Sequence, residues 1–242
     1  MADSVETNEI RNKKKKGSSA KIIVIIIAIV LVLALVIVGG IMLAKPKGPT
    51  LTYLGHASVK IKSSKGTVIY IDPYCEEVAN GYKEPADIIL VTHDHQDHSK
   101  VSLCEQKDGC TVITRKEALL NKTEYQTFEI DDVKIEAVVS GGNGNHFITT
   151  CVGYIVTVDG VRVYHAGDCS FSEEIKEGMT DRNLDYAMYP TDGTYNMGPD
   201  EATEMADYIG AKVNIPIHGE FRDKFNAKGT MLLEYGQTIS LN

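Results

Sequence analysis

Ile88-Ile89-Leu90-Val91-Thr92-His93-Asp94-His95-Gln96-Asp97-His98 is the stretch that decides how this chain is read. Its first four residues are apolar without a break, as in a strand buried on both faces. The polar run follows directly. A strand end holds side chains rigidly, and the loop beyond it is open enough to admit a ligand. Imidazole and carboxylate together suit zinc, manganese or iron rather than calcium. His93 and His95, two apart in extended chain, point the same way and can share one ion. Asp97 and His98 lie past the bend, where they can reach a second ion.

Charge is distributed unevenly around this centre. The chain has 242 residues and a formal net charge of −8. Residues 1–47 carry eight Lys/Arg against three acids, so taking that +5 from −8 leaves −13 for the remainder. So acidic a segment repels phosphate backbones, which argues against a nucleic-acid partner. The segment is also long enough to bury a core without disulfide staples.

Residues 22–44, IIVIIIAIVLVLALVIVGGIMLA, are 23 residues without a charge. As a helix they would extend about 34 Å, enough to cross a bilayer core. The run lacks a polar face and exceeds the usual apolar length of a cleaved signal peptide. It is therefore expected to be a transmembrane signal anchor with the lipid bilayer as partner. Six Lys/Arg precede it and two follow it. That asymmetry puts the N-terminus in the cytoplasm and the rest outside it. The expected organisation is a basic tail over 1–21, the anchor over 22–44, a Pro/Gly linker over 45–50 and a single domain over 51–242. Among five cysteines, Cys104 and Cys110 are close enough in sequence to close a small loop in an oxidising compartment.

Within the domain, short β-rich segments are expected at 51–54, 58–61, 67–71 and 88–92. Val152–Val158 and Val161–His165 flank Asp159-Gly160, a strong hairpin signal. The pattern then becomes strand (185–189), helix (Pro199–Ile209) and strand (213–218). The helix has Pro199, Asp200 and Glu201 in its first turn and Gly210 past its end. Strands with interspersed helices predict an α/β sandwich, sheets inside and helices outside.

The run Thr92–His98 resembles the signature of the metallo-β-lactamase superfamily, and the domain is similar to its branch of small hydrolases related to ascorbate-6-phosphate lactonase. Supporting pieces occur in family order: Gly55-His56-Ala57-Ser58, Ile71-Asp72-Pro73-Tyr74, Tyr164-His165-Ala166-Gly167-Asp168 and Ile215-Pro216-Ile217-His218. The resemblance implies an αββα sandwich, here preceded by the transmembrane helix, and two divalent ions, zinc foremost with manganese or iron as alternatives. It assigns His93, His95 and His146 to the first ion, Asp97, His98 and His218 to the second, and Asp168 as the bridge. Asp97 and Asp168 carry the catalytic roles. Asp72 is expected behind a ligand histidine, and His56 and His165 near the second shell or substrate pocket. Cys169 stands where this branch usually has Thr, and Gly219-Glu220 where relatives often carry Tyr.

The implied activity is attack by metal-activated hydroxide on an ester, lactone or phosphodiester-type bond of a small molecule. A true β-lactamase, a tethered metal- or partner-binding module without catalysis, and a redox metalloprotein are the competing readings. The implied ligand set is complete, against the binding module, and it is poorer in carboxylates than di-iron oxygen chemistry commonly uses.

Overall fold

The computed structural model describes residues 26–27, 29–31, 48–75 and 77–242. The chain divides into two units, Met1–Lys47 and Gly48–Asn242. The second unit contains two six-stranded sheets. The first sheet is built from β1 (Thr50–Gly55), β2 (Ser58–Lys62), β3 (Val68–Ile71), β4 (Ala86–Leu90), β5 (Gln106–Ile113) and β14 (Thr238–Ser240). Its spatial order is β14-β1-β2-β3-β4-β5. The second sheet contains β8 (Thr127–Ile130), β9 (Val133–Val139), β10 (Val152–Val158), β11 (Val161–His165), β12 (Tyr186–Pro190) and β13 (Val213–Ile217). They run in the order β13-β12-β11-β10-β9-β8. Between β5 and β8 in the chain, a two-residue pair, β6 (Leu119–Leu120) with β7 (Glu124–Tyr125), follows the one-turn helix α1 (Arg115–Ala118).

Alternation along the strands decides which side chains meet. Leu51, Tyr53, Val59, Ile61, Ile69, Ile71, Ile88 and Leu90 of the first sheet share one core with Ile135, Tyr154, Val156, Val163, Met188, Ile215 and Ile217 of the second. The opposite face of the second sheet presents Ile155, Tyr164, Ala187 and Tyr189. These bury against α2 (Glu173–Met179) and α3 (Pro199–Ile209) through Ile175, Met179, Ala202, Met205 and Ala206. Over the first sheet the outer layer is irregular: Val78, Tyr82 and the 3-10 turn Val101–Leu103 pack on Leu54, Val68, Tyr70 and Ile89. Both faces of β3 and β4 are thereby dry, which is why these strands read as continuous apolar runs.

The Asp159-Gly160 hairpin forms with both residues at positive φ, 51° and 83°, as a two-residue turn between right-twisted strands requires. α3 begins at Pro199 and is closed by Gly210 at φ 69°. The strand expected over 88–92 leaves its sheet earlier, at Leu90. Beyond it the Val91 amide donates to Ile113 O, and Thr92 O accepts from the Val152 amide of the other sheet. The end of β4 is thus stitched across the sandwich. Tyr154, fully buried, adds a second stitch by donating its hydroxyl to Val91 O at 3.1 Å.

Two expectations are corrected. Among the described residues no helix is long and apolar enough to cross a membrane. Most of the run 22–44 lies outside the described residues, and only Ile26, Ile27, Ile29, Val30 and Leu31 are described there, as exposed helical positions. The transmembrane helix, its bilayer partner and the location deduced from it, cytoplasmic N-terminus with an extracytoplasmic domain, are therefore withdrawn. Those deductions rested on hydropathy, which measures affinity for an apolar phase, and on flanking charge, which bears on orientation; neither is a formed span. In addition, Cys104 and Cys110 are both free thiols, as are Cys75, Cys151 and Cys169.

Replacing Tyr154 by Phe should leave Val91 O without its hydroxyl donor at the sheet interface. We expect a loss of about 1–2 kcal/mol in urea unfolding, with an unchanged slope against denaturant. An unaltered midpoint would show that this stitch is not a source of stability.

Candidate metal centre

The histidines and carboxylates picked out above come from separate strand ends on one rim of the sandwich. His93, His95, Asp97 and His98 follow β4, and Asp72 follows β3. His146 lies between β9 and β10, Asp168 follows β11, and His218 follows β13. Ligand-type atoms of His93, His95 and His146 fall within 4.8 Å of one another, as do those of His56, Asp97, His98 and His218, and those of His93, His98 and Asp168.

Asp168 sits between the two groups. Its Oδ2 lies 3.4 Å from both His146 Nε2 and His218 Nε2, and its Oδ1 lies 3.3 Å from His98 Nε2. His146 Nε2 and His95 Nδ1 are 3.2 Å apart, while Asp97 Oδ2 is 3.9 Å from both His98 Nε2 and His218 Nε2. Ligands about 2.1 Å from one tetrahedral ion stand roughly 3.4 Å from each other, so this spacing suits shared ions. The buried atoms His93 Nε2, His98 Nε2, His218 Nε2 and Asp168 Oδ1 lack hydrogen-bond partners among the described residues. Unpaired buried polar atoms are costly, and their convergence is what a metal site needs. The residues present therefore fit metal ions.

Backbone and hydrogen bonds aim these atoms. Asp72, fully buried, accepts from the Thr92 amide at 2.8 Å, the Thr92 hydroxyl at 2.7 Å and His98 Nδ1 at 2.8 Å. The last contact fixes the His98 proton on Nδ1 and leaves Nε2 free to ligate. Because the Thr92 hydroxyl proton is spent on Asp72, Thr92 Oγ1 is left to accept from His93 Nδ1, 3.0 Å away, which frees His93 Nε2 in the same way. Gly167 makes the Asp168 position reachable: at φ 65° it approaches so closely that an added Cβ would stand 3.0 Å from Thr92 Cβ. The glycine-rich loop before His146 is pinned, with Asn143 Oδ1 accepting from the Asn145 and His146 amides.

His56 lies against the centre, its Nε2 3.2 Å from Asp97 Oδ2 and its ring centroid 3.8 Å from that of His218. His56, Asp72 and His218 all hold left-handed backbone, at φ 52°, 48° and 46°. His165 is different. It is fully buried, with Nδ1 accepting from the Gly167 amide and Nε2 donating to Ala57 O at 2.8 Å. Both ring nitrogens are satisfied, so it braces β11 against the turn after β1 rather than lining a pocket. Cys169 points into the core beneath α2 and α3, away from the ligand groups.

The ligand groups open onto a cleft of about 470 Å³ lined by His95, Asp97, Gly144, Asn145, His146, Asp168, Tyr195 and His218. Asn145, Tyr195 and Asp192 were not singled out from the sequence. Asp192 lies 3.3 Å, through Oδ2, from His218 Nδ1. Its signal was available: Thr191-Asp192-Gly193 follows a strand as apolar as the one preceding His93.

Electrostatics divide the imidazoles. Burial pushes His93 down to about 3, with His98 adding to the effect. His146 is lowered chiefly by burial too. Burial also disfavours charge on His98 and His218, but carboxylates outweigh it. Asp168 and Asp72 raise His98 well above its ordinary value, and Asp192 and Asp168 raise His218. Burial likewise opposes ionisation of Asp168, yet His98, His218 and His93 hold it well below the usual carboxylate range. Asp97 is lowered first by its hydrogen bond from His56.

Comparison with known proteins gives a consistent picture. A family described as the beta-lactamase superfamily domain matches residues 50–218. A UPF0173 metal-dependent hydrolase of Methanoculleus marisnigri is 30% identical over 205 residues, covering 78% of this chain and 88% of the relative. Another, from Methanoregula boonei, is 32% identical over 200 residues, covering 73% and 85%. Among solved structures, a metal-dependent hydrolase from Parabacteroides distasonis superimposes with a TM-score of 0.63 at 26% identity, covering 78% of this chain and 94% of that one.

The raised imidazoles set the direction of a pH effect. A histidine whose folded pKa is raised keeps its proton to higher pH, and a metal must displace that proton. Apparent zinc affinity should therefore rise with pH through the range where His98 and His218 titrate, with His93, already neutral, adding nothing to the slope. Zinc titrations in buffers of different protonation enthalpy should detect proton release at pH 7. Affinity and heat independent of pH and buffer would contradict this account.

Proposed function

The chain belongs to the beta-lactamase superfamily of metal-dependent hydrolases, and from that premise we propose that it cleaves an ester, lactone or phosphodiester-type bond of a small molecule at a centre of two divalent ions. The convergence of seven ligand-type side chains supports this reading: His93, His95 and His146 on one side, Asp97, His98 and His218 on the other, and Asp168 between. Zinc suits the imidazole-rich set best, with manganese or iron as alternatives. Ions held there would make a water acidic enough to deprotonate near neutral pH and would polarise the scissile oxygen.

The side chains do the rest. Asp97, ionised and hydrogen-bonded to His56, is partly exposed at the cleft and can take a hydrogen bond from an entering water, orienting it for attack. Asp168 holds the two ligand groups at a fixed separation. Asp72 and Thr92 keep His98 and His93 in the tautomers that leave Nε2 unprotonated. Asn145 and Tyr195, at the cleft mouth, offer a polar and an aromatic contact to the part of the substrate that does not react. A binding module without catalysis would be expected to lack a bridging or second-group ligand. Here every such position carries one.

The purified chain should bind two equivalents of zinc or manganese and turn over at least one member of a panel of lactones, phosphodiesters and β-lactams. His93→Ala and Asp168→Ala should each reduce metal content and bring hydrolysis to background. Full activity in either variant, or metal uptake by the parent with no turnover across the panel, would refute the assignment.

A further inference from the structure

The segment from Asp192 to Met197 borders the centre, meeting His218 directly and the neighbours of Asp168 and His146, yet it supplies none of the seven ligands. Asp192 Oδ2 lies 3.3 Å from His218 Nδ1, an ion-pair approach rather than a fully aligned hydrogen bond, and 2.8 Å from Asn196 Nδ2. Its other oxygen, Oδ1, accepts from the Thr194 and Tyr195 amides at 2.8 and 2.7 Å and from the Asn196 amide at 3.3 Å. The Met197 amide donates to Cys169 O, one residue past Asp168. Tyr195 O accepts from Asn145 Nδ2 at 3.4 Å, beside His146.

Gly219 shows how closely this segment is fitted to the histidine it faces. At φ 132°, an added Cβ would stand 2.7 Å from Asp192 Cα. The glycine directly after His218 is thus what lets Asp192 come up behind the ring. Tyr195, 62% exposed, sits on the same turn and lines the cleft.

We propose that Asp192 is a positioning residue with two simultaneous tasks. Through Oδ2 it holds His218 with its proton on Nδ1, so that Nε2 faces Asp168 and Asp97 as a ligand. Through Oδ1 it gathers the amides of Thr194, Tyr195 and Asn196 into the turn that carries Tyr195 over the cleft. One carboxylate therefore sets both the aim of a metal ligand and the shape of the substrate rim. The inference rests on the two-ion reading above for the first task and is independent of it for the second.

Two substitutions separate the tasks. Asp192→Asn keeps an amide oxygen for the turn but places an NH2 group opposite His218 Nδ1. That favours the tautomer protonated on Nε2, which cannot ligate. Asn196, whose Oδ1 is buried without a partner among the described residues, can turn to accept from the new amide. Asp192→Ala removes both acceptors. The probes are zinc alone, titrated into the metal-free full chain against a chelating dye, and amide hydrogen exchange at residues 194–196. Asp192→Asn should weaken one zinc site by about 10–100-fold with near-parental exchange and an unchanged metal-free melting temperature. Asp192→Ala should weaken the same site and also accelerate exchange at those amides. Zinc bound by Asp192→Asn as tightly as by the parent at every site, or parental exchange in Asp192→Ala, overturns the proposal. A parent that binds a single zinc would retire the two-ion reading instead, and Asp192→Asn is then judged on that one site.

Discussion

A carboxylate sealed from solvent holds the end of β4 to the end of β3, and the centre depends on it. Burial disfavours a charge on Asp72, but the His98 ring holds it in its ionised form, and the Thr92 amide and hydroxyl donate to it as well. A buried anion with three good donors is stable, and one that loses a donor is not. The arrangement therefore has little freedom. Thr92 must lie where its hydroxyl reaches Asp72, and this leaves its oxygen to receive His93 while its carbonyl receives the Val152 amide of the other sheet. Position, tautomer and sheet-to-sheet registry are fixed by the same few bonds.

The second half of the centre repeats that logic. His218 stands between Asp168 in front and Asp192 behind, as His98 stands between Asp168 and Asp72. Each imidazole is thus flanked by a buried or half-buried acid on either side. The excess of acids over bases in the domain, noted first as a reason against nucleic acid, has part of its explanation here: a cluster that fits metal ions carries negative charge that bound cations would offset.

Much of this was legible from residue order, for reasons that differ by element. The hairpin at Asp159-Gly160 and the helix Pro199–Ile209 were readable because their ends use residues with narrow conformational preferences. The run after β4 was readable because imidazoles that dense have few other uses. β5 was passed over: its first four residues, Gln106-Lys107-Asp108-Gly109, are exposed at a sheet edge and present no alternation to detect. The loop before His146, Gly141-Gly142-Asn143-Gly144-Asn145, has the composition of a mobile segment, but the Asn143 side chain accepting from backbone amides pins it, which composition does not reveal. His165 matched its motif and belongs to the frame, since only coordinates show that both its nitrogens are engaged. The apolar run at 22–44 carried only hydropathy and flanking charge, and the anchor read from them did not stand.

The left-handed backbone at His56, Asp72 and His218 sets selection for durability against selection for chemistry. Such conformations cost a non-glycine residue about 1–2 kcal/mol, and glycine adopts them freely. At His56 and His218 the least strained backbone is therefore one from which the imidazole has been deleted, whereas at Asp72 three hydrogen bonds hold the carboxylate in place. Relieving that strain with glycine at His56 or His218 would strip an imidazole from the rim, so backbone ease and chemistry pull in opposite directions there. The strained imidazoles at His56 and His218 are what a rim built for chemistry carries and a bare scaffold would not.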